Sequence, residues 1–306
     1  MITPHKALSE SGAITVVSGP ATAGRARWRG FHHHRSRRSY VAAVLGVVWL
    51  AVAVLPIYYL VIASLRSQSQ YLSESPWIPS GRLTFANYTQ ALAGGMLTAT
   101  QNSIIVTVLA ACATVGLGFV GSYAIVRSRR HWLRATVFRL FLLGLAVPLE
   151  GSIIPLFIFL TREHLYNTLW GLILPLIAFQ LPLTVVVLTS FLRDVPQELF
   201  EAMSLDGASE WRKLISLAAP MARPALLGIF VFVALRSWNS FLLPLVVIQS
   251  NSLSVVPLTV YRFETTYSAN VPAMLASVII STIPLLLLYV FGRRQLLRGL
   301  TIAVGR

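Results

Sequence analysis

Few residues in this chain of 306 could do chemistry, and the acidic ones are concentrated in one polar stretch. Neither lysine, Lys6 or Lys213, lies in a Gly-rich loop of the kind that holds nucleotide phosphates, so ATP would have to be bound by another chain. No residues have metal-site spacing, and no histidine adjoins a nucleophile motif, which argues against a hydrolytic triad. The sequence therefore gives no support for an enzymatic function. Five of the ten acidic residues lie close together: Asp194, Glu198, Glu201, Asp206 and Glu210.

A second set of polar residues lies inside long apolar segments, where such side chains are costly and usually face a cavity or a partner. At 1.5 Å per helical residue, Glu150 and Arg236 both lie roughly 18 to 21 Å from the cytoplasmic ends of their segments. We expect them either to pair with each other or to line a translocation path. The alternative is that each has a separate partner on a second subunit.

Trp238 and Asn239 place an aromatic ring beside an amide, the two groups that favour a sugar path. Sugar C–H faces stack on rings, and sugar hydroxyls exchange hydrogen bonds with amides. Gln180 and Asn102 could add further hydrogen bonds. Equally, Trp238 and Asn239 could pack between helices, because polar side chains also join helices within membranes.

The polar stretch itself predicts two short amphipathic helices. Pro196 fits a first helical position, and the helix should run to about Leu205. Gly207 then accepts the positive φ of a turn, and Ser209 can cap a second helix. On that helix the apolar face is predicted to hold Trp211, Leu214, Ile215 and Ala218, with Glu210, Arg212, Lys213 and Ser216 on the opposite face.

The composition is that of an integral membrane protein, with 56% hydrophobic and 11% charged residues. A spanning helix needs about 20 mostly apolar residues. Six segments meet this test: 39–65, 100–126, 136–160, 168–192, 225–249 and 273–291.

The basic residues give these spans an orientation. The formal charge is +15, but the basic residues lie beside apolar spans, which favours orientation in a bilayer over nucleic-acid binding. They collect in residues 1–38, in 127–134, in 193–223 and after residue 292. The positive-inside rule therefore places both termini and the stretch 194–224 in the cytoplasm. We expect 1–38 to be a basic flexible tail and 39–306 to be one membrane domain.

At the polar stretch, the residues Glu201-Ala202-Met203, then Asp206-Gly207-Ala208, then Pro220 and Pro224, resemble the EAA loop of permease subunits of ATP-binding-cassette importers. Three positions depart from the usual pattern, all by apolar exchange: Met203, Leu217 and Ala219. Smaller features elsewhere resemble the maltose-type carbohydrate permeases. They are Asn102-Ser103, Tyr123-Ala124 with Arg127, Pro148, Pro155, Asn167-Thr168, Trp238-Asn239 with Pro244, and Gly299-Leu300-Thr301.

This resemblance implies an all-α membrane protein with six transmembrane helices and the type I importer permease (MetI-like) fold. Its core transmembrane region would cover about 98–291 and its coupling loop 194–224. It further implies a bacterial cytoplasmic membrane protein that imports a sugar, oligosaccharide or related polyol. Its partners would be a second permease subunit, two ATPase subunits that bind ATP and Mg²⁺, and an extracytoplasmic solute-binding protein. The chain itself would hold no cofactor.

By the same resemblance the residues that dock to the ATPase are Glu201, Ala202, Met203, Asp206, Gly207, Ala208 and Pro220. Two alternatives remain: a permease of this class for a non-sugar solute, and an ATP-independent secondary transporter. The latter should show several intramembrane carboxylates or an internal repeat, and only Glu150 qualifies.

Overall fold

In a computed structural model, the structure describes residues 40–75, 77–78, 82–266 and 270–304. The predicted basic tail 1–38 lies outside these residues. The chain divides into two compact units, Met1–Ala51 and Val52–Arg306, and the core and candidate sites described below belong to the second.

The described residues form helices and no strands. The helices are α1 (Tyr40–Ser64), α2 (Gln68–Ser73), α3 (Ala86–Ala91), α4 (Leu97–Arg127), α5 (His131–Gly144), α6 (Ile153–Arg162), α7 (Trp170–Arg193), α8 (Gln197–Leu205), α9 (Glu210–Lys213), α10 (Ala219–Trp238), α11 (Leu242–Val247), α12 (Val256–Thr266) and α13 (Val271–Val304). Short π-helical turns join α3 to α4 (Leu92–Met96) and α9 to α10 (Leu214–Ala218).

The predicted all-α membrane fold is confirmed, and within the described residues four helical runs are long and apolar enough to cross a membrane. They are Ala42–Ser64, Ala86–Arg127, Trp170–Arg193 and Glu210–Trp238. The first and fourth predicted spans closely match Ala42–Ser64 and Trp170–Arg193, whereas the second, 100–126, matches only the α4 part (Leu97–Arg127) of a run that begins at Ala86. The sixth predicted span corresponds to a shorter apolar stretch, Val271–Leu287, within α13.

The third and fifth predicted spans differ from the structure. Residues 136–160 are not one helix, because α5 ends at Gly144 and α6 begins at Ile153. Pro148 lies in the break, where its ring and missing N–H disfavour continuation of a helix. The fifth span was predicted at 225–249, but its helix begins upstream, at Glu210, and ends at Trp238. Asn239 leaves helical geometry, and Pro244 lies in the separate short helix α11.

The core lies where α4 packs against α7 and α10. One apolar cluster joins α4, α7 and α10 to α8 through Phe200 and to the π-helical turn through Leu214. A second cluster joins α4 and α7 to α6, α11 and α12. Helix α4 contributes to both clusters, so it is the central helix of this unit.

Small residues let α4 and α7 approach closely, as is common between helices in membranes. A Cβ on Gly118 would lie 2.5 Å from Cγ2 of Thr184. Four residues further along, the Ser122 hydroxyl donates to the carbonyl of Val185 at 3.1 Å. Gly118 and Ser122 thus fix α7 against the C-terminal third of α4.

Asparagine side chains attach the loops at the other end of the bundle. The Asn167 Oδ1 accepts hydrogen bonds from the backbone N–H groups of Gln249 and Ser250, each at 3.0 Å. The Asn102 amide donates to the carbonyls of Ser252 and Ser254, each at 2.9 Å. The segment that follows α11 is therefore held to α4 and to the start of α7.

Candidate functional site

The polar stretch folds around a glycine turn, as predicted. Helix α8 ends at Leu205, and Gly207 has a φ of +73°. The Ser209 hydroxyl caps the next helix by accepting from the N–H of Arg212 at 3.3 Å. The predicted end of the first helix, the glycine turn and the serine cap are confirmed.

The predicted second short helix is wrong in its extent and in part of its buried face, although Leu214 and Ala218 are buried as predicted. Through the π-helical turn it continues directly into α10, so one helical run leads from Glu210 to Trp238. Lys213, predicted on the polar face, is only 5% exposed, whereas Trp211 is 63% exposed and Ile215 52% exposed. The π-helical turn adds a residue per turn, which shifts the face that a regular helix would bury.

Lys213 can be buried because a neighbouring carboxylate compensates the positive charge of its ammonium group. Its ammonium donates to Oε1 of Glu210 at 2.7 Å, and the Tyr123 hydroxyl donates to Oε2 of the same carboxylate at 2.8 Å. Tyr123 lies in the last turns of α4. These three residues, which we call the Glu210 clamp, connect the end of α4 to the start of the helical run that becomes α10.

Helix α8 is attached to the same end of α4 through Phe200. Phe200 is buried, the Arg127 guanidinium lies 4.6 Å from its ring centroid, and the Tyr123 ring lies 6.2 Å away. A cation placed over an aromatic face is attracted by the ring quadrupole. Both helices of the loop are therefore fixed to α4. In the sequence, Tyr123 and Arg127 are only part of a family resemblance, and no local pattern predicts their contacts to Phe200 and Glu210.

The side of α8 away from Phe200 is exposed. It and the turn that follows hold most of the residues expected to dock. The Glu201 carboxylate accepts a hydrogen bond from the Gln197 amide one turn earlier, at 2.7 Å, and Leu205 is 91% exposed. Ala202, Asp206, Gly207 and Pro220 are also exposed, while Met203 and Ala208 are half-buried. Pro220 lies on the first turn of α10 and not on α8.

Four of the six expected path residues line one cavity of about 480 Å³. They are Glu150, Gln180, Arg236 and Asn239, and the rings of Phe179, Phe232 and Phe241 line it too. The buried Gln180 amide donates to the Ser237 hydroxyl at 3.0 Å and to the Leu176 carbonyl at 3.1 Å, whereas its Oε1 has no hydrogen-bond partner.

Glu150 and Arg236 share this cavity without pairing directly. Across the described part of the chain, the ion pair within 4 Å is that of Lys213 and Glu210. The structure thus brings the two charged residues to the same space from the turn before α6 and from α10.

The other two expected path residues lie elsewhere. Trp238 is 6% exposed and packs against Met96, Ala99 and Val256. The Asn102 side-chain amide is engaged by the two backbone carbonyls to which it donates, those of Ser252 and Ser254. The structure therefore places Trp238 in helix packing, the alternative kept open for it, and Asn102 in loop attachment.

The arrangement offers surfaces for binding and for movement. Among the residues that the structure describes, no group of three or more His, Cys, Asp or Glu side chains could hold a metal ion. The two candidate regions are the exposed face of α8 and the cavity, which α10 connects: its helical run begins in the Glu210 clamp and ends at Trp238, two residues after the cavity residue Arg236.

Comparison with known proteins matches these features to one family. Residues 114–301 match the binding-protein-dependent transport system inner membrane component family. The diacetylchitobiose uptake system permease protein NgcG of Streptomyces coelicolor is 32% identical and covers 84% of this chain and 86% of its own length. The trehalose transport system permease protein SugB of Mycobacterium tuberculosis is 29% identical, covering 87% and 97%.

The fold is shared with a solved transporter. A chain of a bacterial ABC transporter involved in the import of the acidic polysaccharide alginate superposes with a TM-score of 0.72 at 21% identity, covering 83% of this chain and 95% of its own. Since the family match covers more than half of the sequence and the fold agrees, this chain belongs to the family of binding-protein-dependent transport system inner membrane components.

Proposed function

We propose that this chain is the permease subunit through which an ATP-driven importer carries a sugar or oligosaccharide across the bacterial cytoplasmic membrane. Family membership makes it a multi-pass transport subunit and not an enzyme. The names of its relatives support the solute class, since they include permeases for diacetylchitobiose, trehalose, glucose and arabinooligosaccharides.

The proposed complex adds a second permease subunit, two ATPase subunits that bind ATP and Mg²⁺, and an extracytoplasmic solute-binding protein. Glu201, Ala202, Met203, Asp206, Gly207, Ala208 and Pro220 would form the surface that meets the ATPase. The exposure of most of these residues beside a firmly attached Phe200 supports this role. A rigid attachment of this kind transmits a displacement of α8 to α4 and α10.

The cavity that contains Gln180 and Arg236 is the proposed solute path, and it is the observation that carries the solute assignment. A buried amide oxygen without a partner and a guanidinium in one space supply an acceptor and donors for hydroxyl groups. The phenylalanine rings around them supply stacking faces. In this proposal Trp238 and Asn102 support the path without touching the solute.

The test is uptake by the assembled importer in proteoliposomes, with labelled trehalose, diacetylchitobiose and an amino acid as probes. We expect Arg236→Gln and Asn239→Ala each to lower sugar uptake about tenfold, the loss of a hydrogen bond worth about 1 to 2 kcal/mol. Assembly, measured by co-purification of the ATPase, should be unchanged. Arg223→Gln is the matched control, because Arg223 is an exposed arginine on α10 outside the cavity.

Two results would contradict the proposal. If an assembled Arg236→Gln importer took up sugar at the wild-type rate, the cavity would not be part of the solute path. Uptake of the amino acid but of neither sugar would reject the solute class.

A separate comparison of Glu150→Arg, Arg236→Glu and the double reversal asks whether the two charges act as a pair. Recovery in the double variant would indicate that they pair during the transport cycle.

A further inference from the structure

A second cavity, of about 770 Å³, lies beside the Glu210 clamp. Its lining comes from the last turns of α4, from the segment before α5 and the first turn of α5, from the end of α8, and from α9 with the start of the π-helical turn. It is separate from the solute cavity, which lies near the other end of α10. No part of the proposed transport mechanism uses it.

The polar lining of this cavity is strongly basic. Arg127, Arg129 and Lys213 face it, together with a single carboxylate, that of Glu210. That carboxylate already accepts from Lys213 and Tyr123. The Arg127 Nε is buried and has no hydrogen-bond partner among the described residues, and Arg129 is exposed. The cavity therefore has cationic donors in excess of its acceptors.

The remaining lining is apolar and partly exposed. Val120 is 45% exposed and Leu133 38% exposed, and Trp211 stands at the rim with 63% of its surface exposed. Tryptophan is enriched where a membrane meets water. An occupant with a charged head and an apolar body would satisfy both parts of the lining.

We propose that this cavity binds the phosphate of an anionic phospholipid headgroup, with phosphatidylglycerol as the simplest example. A guanidinium matches a phosphate with two parallel hydrogen bonds, and basic pockets between membrane helices on the cytoplasmic side are suited to such headgroups. The acyl chains would follow Val120 and Leu133 into the bilayer.

The position of this site gives the lipid a consequence for coupling. Arg127 also holds Phe200 of α8, and Lys213 also holds Glu210. A phosphate that binds Arg127 and Lys213 therefore contacts both attachments between the coupling loop and α4. Bound lipid would fix the angle of α8 and raise the efficiency with which ATP hydrolysis drives transport.

The experiment compares Arg129→Gln with Arg212→Gln in the purified importer. Arg129 lines the cavity, whereas Arg212 is a nearby exposed arginine that does not. Retained phosphatidylglycerol is measured by native mass spectrometry, and solute carried per ATP is measured in nanodiscs of phosphatidylcholine with or without phosphatidylglycerol. We expect Arg129→Gln to weaken phosphatidylglycerol binding about fivefold, the effect of one basic residue at an anionic surface.

The coupling gain from phosphatidylglycerol should shrink in Arg129→Gln and persist in Arg212→Gln. Equal lipid retention by the two variants would overturn the proposal. So would displacement of the lipid by inorganic phosphate at equal concentration, which would indicate a site for a free anion. Loss of retained lipid when the ATPase is added to the isolated permease pair would show that a protein surface occupies the cavity instead. Melting temperature, measured on both variants, separates these results from misfolding.

Discussion

Gly207 sets the angle between α8 and the helical run that leads into α10. Its φ of +73° is a left-handed conformation, and a Cβ there would meet no atom within 4 Å. The cost of a side chain at this position is therefore backbone strain and not a clash. A β-branched residue is a strong outlier in this region, whereas asparagine tolerates it.

We therefore expect Gly207→Val to uncouple ATP hydrolysis from uptake, at a strain of about 1 to 3 kcal/mol. Gly207→Asn should keep most of the wild-type coupling, because its side chain also finds open space. The ratio of solute carried to ATP hydrolysed in proteoliposomes measures the effect. If Gly207→Val kept both the wild-type uptake and the wild-type ratio of solute carried to ATP hydrolysed, the turn would not be part of the coupling route.

At the scale of elements, the close contact of α4 with α7 can be tested by two glycines on one helix. Gly118 faces Thr184, whereas a Cβ on Gly116 would meet nothing within 4 Å. We expect Gly118→Ala to destabilise the complex by about 1 to 3 kcal/mol through overpacking. Gly116→Ala should be neutral or slightly stabilising, since alanine favours the helix by about 0.5 to 1 kcal/mol. Thermal melting of the purified complex distinguishes them, and equal shifts would contradict the packing argument.

The Glu210 clamp makes a second prediction at this scale. Tyr123→Phe removes one hydrogen bond, worth about 1 kcal/mol. Glu210→Gln should cost more, because it leaves the buried Lys213 ammonium without its carboxylate. Both should lower the solute carried per ATP, while Glu163→Gln, a change at an exposed acid that follows α6, should not.

A double-mutant cycle identifies the clamp as one unit. We expect the Tyr123→Phe and Glu210→Gln double variant to lose less stability than the sum of the single losses, with a coupling of about 0.5 to 3 kcal/mol. Strict additivity in melting experiments would mean that the two residues act independently, whatever their distance.

At the scale of the whole molecule, the proposed orientation places the α8 loop and the loop after α11 on opposite sides of the membrane. In a Cys112→Ser background, which removes the exposed native thiol, Asp206→Cys should react with an impermeant maleimide only in inside-out vesicles. Asn251→Cys should react only in intact spheroplasts. Labelling of Asp206→Cys from outside would reverse the topology and remove the proposed contact with a cytoplasmic ATPase.

Much of the local structure could be predicted from the chain because it depends on residue type alone. The apolar runs predicted two spans nearly to their ends and the position of a third, and Gly207 and Ser209 marked the turn and the cap that the structure contains. Backbone geometry at a glycine and capping by a serine are decided within a few residues, so the sequence carries them. The sequence also placed Glu150 and Arg236 at equal depth, and they share a cavity.

The class of the protein, most of its long helices and the glycine turn after α8 therefore follow from the chain alone, since hydropathy, chain stiffness and capping act locally. Which polar residues meet depends instead on how the helices pack. A π-helical turn moved Lys213 to the buried face, and packing placed Trp238 between helices while leaving Gln180 and Arg236 at the cavity. These outcomes depend on residues far apart in sequence, because burial in a bundle is set by the neighbouring helix and not by the side chain's own polarity.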